Sequence, residues 1–225
     1  MNANRLAISA LSRAARPPRR LWLGAGGMAL ALALLGAPRP SVAAPEAGGA
    51  VVQNLYYTLL STMRNGGTLG VSGRFAQIAP VIHRIFDLPL MTRLSVGPAW
   101  AGLGDAQKQQ LIESFGRYIS AIYAERFDSY HGQRLEVTGE EPAPAGVIVR
   151  SRIIKADGEP VEVDYLMRGG GDRWLISDIY LDGTISELAT RRSEFAAIIR
   201  SQGIDGLIEA LNRKADMLTE TARAQ

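Results

Sequence analysis

The sequence of 225 residues contains no cysteine and only two histidines, His83 and His131. Without thiols the chain has no disulfide bonds, no thiolate metal sites and no cysteine nucleophile. The histidines belong to no pair or carboxylate cluster with metal-ligand spacing. His83 lies in an apolar segment typical of a packed or surface side chain, and His131 lies beside the helix-ending Gly132. The sequence therefore predicts no metal and no cofactor.

The motifs of common enzyme classes are also missing. No Gly-x-Ser-x-Gly nucleophile elbow occurs, and no phosphate-binding glycine loop follows residue 43. The glycine run Gly169–Gly171 lies between two predicted strands, where a hairpin turn is expected, whereas a nucleotide loop would precede a helix. We therefore predict that the protein is not an enzyme.

The first 43 residues have the pattern of a secretory signal peptide. Five arginines and no acidic residue precede the apolar run Leu21–Ala37, and small residues follow at Ser41 and Ala43. An uncleaved membrane anchor is the alternative, but four glycines dilute the apolar run and it is shorter than the roughly 20 residues of a spanning helix. We predict cleavage near Ala43, a single domain over residues 44–225, and a periplasmic location.

Removing this segment reverses the sign of the net charge. The whole chain has 25 basic and 22 acidic residues, but six of the basic ones and none of the acidic ones precede residue 44. The remaining 19 basic and 22 acidic side chains give a net charge of −3. The basic pI therefore belongs to the leader, and we predict no binding to nucleic acid.

Hydrophobic periodicity predicts helices in the first half of the mature chain. The predicted helical segments are Val51–Asn65, Arg74–Pro89, a short one over Leu90–Val96, and Asp105–Gly132 with Asp105 as N-cap.

The period then changes from 3.6 to 2, which predicts four antiparallel strands joined by tight turns. These strands lie within Arg134–Glu140, Gly146–Ala156, Glu159–Gly169 and Asp172–Asp182. Helical spacing returns over Ser186–Gly203, and Asp205 is the expected cap of a last helix. The predicted fold class is α+β, with N-terminal and C-terminal helices packed on a curved antiparallel sheet of about four strands.

Asp178 and Asp182 are the one pair of carboxylates that suggests acid–base chemistry. On one face of a strand, four residues apart, they would be separated by roughly 13 Å. Glycosidase carboxylates lie about 5–9.5 Å apart, so the pair does not fit a catalytic dyad. We predict that Asp182-Gly183 forms a corner, and that Thr184 and Glu187 form a capping box for the next helix.

Large apolar side chains are frequent in these elements. Most are expected to be ordinary core, yet long helices over a curved sheet can also enclose a deep apolar cavity. The residues concerned are Tyr118, Phe127, Tyr130, Tyr165, Met167, Trp174, Ile176 and Tyr180. A secreted domain of this kind without catalytic motifs suits a carrier of a hydrophobic ligand.

Two segments resemble signatures of the MlaC/toluene-tolerance family of periplasmic phospholipid-binding proteins. The first is "FDLPLMTRLSVGPAWAGLGDAQKQQLIESFGRYISAIYAERFDSY", which begins at Phe86. The second is "DRWLISDIYLDGTISELATRRSEFAAIIRSQGIDGLIEAL", which begins at Asp172. Thr184-Ile185 departs from the Val-Ser that the family usually has there. The resemblance extends in order over about Val51–Leu218.

The resemblance implies a carrier that moves lipid between the inner and outer membranes. Its implied partners are a phospholipid or, for the hopanoid-associated HpnM branch, a hopanoid. Its implied protein partners are an inner-membrane ABC transporter with an MCE domain and an outer-membrane lipoprotein complex. The residues expected to line the lipid cavity are Tyr118, Ile122, Phe127, Val149, Val163, Tyr165, Met167, Trp174 and Ile176. In this interpretation Asp178 lies toward the polar margin of the cavity.

Two other functions compete with the carrier. One is a small-molecule enzyme on a cone-shaped α+β fold, which requires a histidine or aspartate buried in the cavity. The other is a structural interaction domain with a solid core and no ligand.

Overall fold

The computed structural model describes residues 47–170 and 173–220. The predicted signal peptide, residues 1–43, lies outside this part of the chain and remains a prediction. Within residues 47–170 and 173–220, no helix is both long and apolar enough to cross a bilayer.

Four helices and a short 3-10 turn form the first half. Helix α1 is Ala47–Arg64, α2 is Gly66–Ile85, α3 is Leu88–Val96 and α4 is Asp105–Arg126, with the 3-10 turn Gly97–Gly102 before α4. The buried positions of α1 recur at the helical spacing expected from the sequence, with Val52, Leu55, Tyr56 and Leu59 fully enclosed.

Two details of these helices correct the sequence interpretation. Helix α4 ends at Arg126, six residues earlier than predicted, because Phe127 leaves the helical conformation (φ −97°, ψ 62°). Asp105 is the first residue of α4 and not its N-cap. Gly104 occupies the N-cap position, so no side chain caps this end of the helix.

The predicted strands form one antiparallel sheet in the order β1-β2-β3-β4-β5. The strands are β1 Arg134–Ala143, β2 Gly146–Ile154, β3 Pro160–Gly170, β4 Arg173–Leu181 and β5 Ile185–Ser186. The α+β class is confirmed, and the strand count rises from about four to five because the corner after β4 adds the two-residue β5.

The sheet has one face against the helices and one face toward solvent. Helix α1 packs on the inner face, where Gly48 lies against the side chains of Val147 and Val149. The outer face carries cross-strand ion pairs, including Arg152 with Glu136 at 3.0 Å. This division follows the alternation of apolar and charged residues in the strands.

A bulge in β4 changes which side chains reach the inner face. Leu166 pairs with Asp178 whereas Met167 pairs with Ile176, so Ser177 is the extra residue. Before the bulge Ile176 faces inward, and after it Ile179 does. In a strand without a bulge Asp178 would share the face of Ile176, but the extra residue moves Asp178 to the outer face.

The last helix, α5, covers Glu187–Glu220 but consists of two segments that meet at Gly203. The first segment runs antiparallel to α4, since Phe195 contacts Phe115 and Arg191 contacts Tyr118. The second runs parallel to α4, since Asp205 bonds Gln107 and Asp216 bonds Arg117. The chain therefore reverses at Gly203, two residues before the predicted cap at Asp205.

Gly203 makes this reversal possible because its φ of 72° and ψ of −172° lie in a region open almost only to glycine. We predict that Gly203→Ala lowers the free energy of unfolding by about 1–3 kcal/mol. Gly67→Ala is the matched control, since Gly67 is also exposed in a helix and a Cβ there meets nothing within 4 Å. Urea unfolding checks both, and equal stability of the two variants would contradict the role of Gly203.

Candidate functional site

The inner face of the sheet brings five of the predicted lining residues together. Val149 pairs with Tyr165 across β2 and β3, and Met167 pairs with Ile176 across β3 and β4. Val163 lies two residues before Tyr165 and so shares its face. All five are buried against the helical layer.

The predicted lining residues differ in how much surface they keep. Val149, Met167 and Ile176 have no exposed area, so they are enclosed on all sides. Phe127 and Trp174 are half-buried and pack at the border of the same core. Of this set, the accessible apolar surface therefore belongs mainly to Phe127 and Trp174, and the three sealed residues lie behind it.

The two α4 residues of the predicted set are also buried. Ile122 belongs to the core. The Arg191 guanidinium carbon lies 5.5 Å and the Lys214 amine 5.7 Å from the centre of the Tyr118 ring. Arg191 and Lys214 belong to the two segments of α5, so both segments contact the Tyr118 ring.

An aromatic cluster joins the helical layer to the sheet. It consists of Tyr56, Phe86, Tyr123, Phe127 and Tyr165. Tyr123 stacks on Phe127 with ring centroids 5.6 Å apart and meets Phe86 edge-on at 5.9 Å. Tyr165 meets Tyr56 edge-on at 6.0 Å. Four elements of the fold, namely α1, α4 with the residue after it, the α2–α3 junction and β3, thus converge at one place.

The backbone beside Phe86 ties this cluster to β4. Phe86 forms an isolated parallel bridge with Ile176, and the amide of Asp87 donates to the Ile176 carbonyl at 2.8 Å. The α2–α3 junction therefore covers part of the β4 edge, and β5 pairs with another part at Tyr180 and Leu181. Ile176 is held from both the sheet and the junction.

The three tyrosine hydroxyls of the cluster stay protonated well into the alkaline range. Burial raises the pKa of Tyr56 to about 12, although its hydrogen bond to Ser151 acts in the opposite direction. Burial also raises the pKa of Tyr123 and that of Tyr165 far above the ordinary value. The aromatic cluster therefore carries no charge at neutral pH.

The buried carboxylate of Asp164 lies behind the aromatic cluster, on the outer face of the sheet. Asp164 accepts hydrogen bonds from the Ser151 amide at 3.2 Å and from the Arg150 guanidinium. Arg150 also pairs with Glu141 on the outer face. The charge of Asp164 is thus compensated from the outer face. Glu140 of β1 pairs with Val149 and so lies on the inner face, where its carboxylate accepts from the Gly49 amide at the start of α1.

The sequence model of the MlaC family, described as MlaC protein, matches residues 53–213. The chain belongs to the MlaC family. Among solved structures, a phospholipid-binding protein from Ralstonia solanacearum, solved in complex with a phospholipid, matches with a TM-score of 0.62. The two are 23% identical, and the match covers 77% of this chain and 99% of that one. This likeness confirms the fold.

Asp178 of this MlaC-family protein organises the start of α5. Its carboxylate accepts from the Ser186 hydroxyl at 2.7 Å, from the Leu188 amide at 3.2 Å and from the Ile179 amide at 2.7 Å. The predicted placement at the polar margin of the cavity is therefore wrong, because both oxygens are engaged in holding a helix terminus.

The predicted capping box at Thr184 is also wrong. Ser186 is the residue that caps α5, since its hydroxyl accepts from the Ala189 amide at 3.0 Å. The helix starts at Glu187, two residues later than the box required, because Ile185 and Ser186 first pair with β4 as β5. Asp182, at φ 50°, does form the predicted corner with Gly183.

Neither histidine lies in the core. His83 is exposed and lies against Gly116, and the exposed His131 contacts the Ser129 hydroxyl at 3.0 Å. Within residues 47–170 and 173–220, no group of three metal-ligating side chains converges. Tyr130 is exposed as well, and Tyr180 lies on the outer face opposite Asp164.

Sequence reasoning missed Tyr56, Phe86 and Tyr123 as members of the site. Tyr56 and Phe86 lie in the predicted helices Val51–Asn65 and Arg74–Pro89, where their helical spacing indicates an ordinary core role. A signal for Tyr123 was present, because Ile112, Ile119 and Tyr123 follow one another at helical spacing on α4 and all three are half-buried. These residues lie beside the fully buried stripe of α4, which consists of Leu111, Phe115, Tyr118 and Ile122.

We predict that Asp178→Ala lowers the free energy of unfolding of the MlaC-family protein by about 2–3 kcal/mol, because the start of α5 loses its buried acceptor. Asp182→Asn is the control and should change stability by less than about 0.5 kcal/mol, since asparagine tolerates positive φ. Urea denaturation measures both. Two variants of equal stability would refute the structural role of Asp178.

Alkaline pH provides a second test, through Tyr56. Its pKa is about 12 in the folded state, against about 10 in an unfolded chain. Between these values the unfolded state ionises first, so the free energy of unfolding falls as the pH rises from 10 to 12. We predict that Tyr56→Phe reduces this fall by about 1 kcal/mol between pH 8 and 11.

The matched control for that experiment is Tyr57→Phe. Tyr57 is 67% exposed, so Tyr57→Phe should leave the decrease in the free energy of unfolding between pH 8 and 11 unchanged. Urea midpoints at the two pH values measure both variants. If Tyr56→Phe and the unsubstituted protein showed the same decrease, the buried state of the Tyr56 hydroxyl would be contradicted.

Proposed function

We propose that this protein is a periplasmic carrier that holds the hydrophobic part of a phospholipid between the inner face of its sheet and its helices. Membership of the MlaC family over residues 53–213 is the observation that carries this proposal. The MlaC family consists of lipid-binding carriers and not of enzymes. The phospholipid bound by the Ralstonia solanacearum protein is a consistent example.

The interior suits this cargo chemically. It combines aliphatic and aromatic side chains with protonated hydroxyls, and the nearby carboxylate of Asp164 is compensated from the outer face. The inward-facing side chains of β2–β4 are uncharged, and the Glu140 carboxylate of β1 accepts from the Gly49 amide at the start of α1. An acyl chain along β2–β4 therefore meets no charged side chain. Each buried CH₂ contributes about 0.8 kcal/mol, so a long acyl chain binds tightly without a polar anchor.

The lipid would enter where apolar side chains are accessible. Phe127 and Trp174 keep accessible surface, while Val149, Met167 and Ile176 lie sealed behind them. When an acyl chain moves inward, the apolar side chains that it separates lose contacts with one another and gain contacts with the lipid. Because both kinds of contact are apolar, the free-energy cost of the exchange is small. We assign the nine predicted residues to this path, with Tyr118 as its most distant member.

The wider role follows the family. The carrier would cross the periplasm and exchange lipid with an inner-membrane ABC transporter that has an MCE domain and with an outer-membrane lipoprotein complex. Export would depend on the signal peptide predicted over residues 1–43, and no cofactor would be needed. A hopanoid is the alternative cargo, which would require a broader and more rigid space than two flexible acyl chains.

The test is to isolate the exported protein and identify its bound lipid by native mass spectrometry. We predict a one-to-one complex whose ligand mass is that of a glycerophospholipid. A ligand mass that corresponds to a triterpenoid would instead identify the cargo as a hopanoid. A lipid-free monomer that also extracts nothing from phospholipid vesicles would contradict the carrier and favour a solid interaction domain.

A charged substitution on the accessible wall makes the test local. We predict that Trp174→Arg weakens the affinity for the lipid roughly tenfold, because it removes apolar contact of about 1.5 kcal/mol or more. Tyr57→Arg, on the exposed side of α1, is the control and should retain the affinity of the unsubstituted protein. Equal affinities of the two variants would show that Trp174 does not line the path.

A further inference from the structure

Helix α3 has an apolar side that the described part of the protein leaves uncovered. Its other side is buried, through Leu88, Met91, Thr92, Ser95 and Val96. On the uncovered side Leu94 is 40% exposed, and Leu90, one turn earlier, is half-buried without belonging to the core. Pro98, at the start of the 3-10 turn that follows, is exposed as well. Neighbouring exposed apolar side chains of this kind mark a contact surface.

The charge around this surface has one sign. Residues 88–104, here named the α3 segment, contain a single charged side chain, Arg93, and no acid. Arg192 of α5 adds a second cation, because a Cβ on Gly97 would lie 3.1 Å from the Arg192 Nε. Gly97 follows Arg93 by one turn, and its amide donates to the Arg93 carbonyl. Both arginines are exposed, and they lie together at the C-terminal end of α3.

The acids nearest to these arginines in the chain are engaged elsewhere. Asp87 caps the opposite end of α3, where it accepts from the amide of Leu90 at 3.1 Å. Asp105, just after the α3 segment, lies 3.7 Å from the Lys108 amine. The two glutamates in the first segment of α5 bond Arg191. Within residues 47–170 and 173–220, Arg93 and Arg192 therefore have no carboxylate partner.

The α3 segment begins directly after the aromatic cluster. Phe86 belongs to that cluster, and the amide of Asp87 donates to the Ile176 carbonyl of β4. Two ring contacts, both made by Tyr123, join Phe86 to the accessible Phe127. Whatever contacts α3 is thus close to the accessible apolar wall.

We propose that the α3 segment docks the protein on an anionic phospholipid bilayer. Leu94 and Pro98 enter the head-group region, while Arg93 and Arg192 contact lipid phosphates. A second copy of this chain fits the surface poorly, because a two-fold contact would bring the same arginines of both copies together. The inference goes beyond the proposed carrier function, since it adds a direct contact with the membrane.

Vesicle flotation tests the docking. The exported protein, with its bound lipid, is mixed with vesicles of phosphatidylcholine alone or of an equimolar mixture with phosphatidylglycerol. We predict roughly tenfold tighter binding to the anionic vesicles, which is lost at high salt. Arg93→Ala and Arg192→Ala should each weaken this binding about fivefold, the contribution of one cation near an anionic surface. Arg168→Ala, at an exposed arginine on the outer face of the sheet, is the control and should bind normally.

A fluorescent label locates the contact on the molecule. Because the chain has no cysteine, Leu94→Cys and Tyr57→Cys each provide one attachment point for an environment-sensitive fluorophore. Both positions are exposed, so neither substitution disturbs the core. We predict that anionic vesicles increase the fluorescence of the label at position 94 and leave that of the label at position 57 unchanged.

The outcomes separate the docking from the carrier function. If the lipid-loaded protein binds neither kind of vesicle, or if Arg93→Ala binds as well as Arg168→Ala, the docking is wrong while lipid binding stands. Equal responses of the two labels would also overturn it. So would a dimer in solution that Leu94→Ser dissociates, which would assign the surface to a second copy. Protein that carries no lipid but still binds anionic vesicles would contradict the carrier function alone.

Discussion

The contact between Tyr56 and Ser151 is the interaction on which the arrangement of helices over the sheet depends. It joins α1 to the middle of β2 in a fully buried setting, and it fixes the depth at which α1 lies on the inner face. An unpaired hydroxyl at this depth would cost about 1–3 kcal/mol, so the two groups must meet. Tyr165 of β3 packs edge-on against the ring of Tyr56, so the same side chain of α1 also contacts the next strand.

The same contact explains why an apolar carrier contains polar groups in its interior. The hydroxyls satisfy one another and the Val163 carbonyl, while Asp164 behind them is compensated from the outer face by Arg150. The part of the interior formed by these hydroxyls is therefore uncharged, although it is not purely hydrocarbon.

Much of the fold followed from the sequence because its periodicities are local. The change from a helical period to alternation at Arg134 located the sheet, and the tight turns made it antiparallel. The bulge at Ser177 could not be predicted, since Ser177 differs little from a regular strand residue and the shift depends on the pairing with Leu166 and Met167. Because of this one extra residue, Asp178 lies on the outer face and not toward the cavity as predicted, and Ile179 lies on the inner face.

The site was only partly predictable for a related reason. Val149, Tyr165 and Met167 share one face by alternation, and the structure confirms that they lie together. Phe86 and Tyr123 come from elements far apart in sequence, and their meeting depends on how α4 crosses the α2–α3 junction. Tyr118 lies on the buried stripe of α4, yet its ring contacts cations from both segments of α5.

The most direct test of the carrier account is a crystal structure of the protein purified from the periplasm without delipidation. The account predicts continuous density for an acyl chain between the inner face of β2–β4 and helices α1 and α4, passing Phe127 and Trp174. A structure in which side chains fill that space completely, with no lipid density anywhere on the molecule, would contradict it.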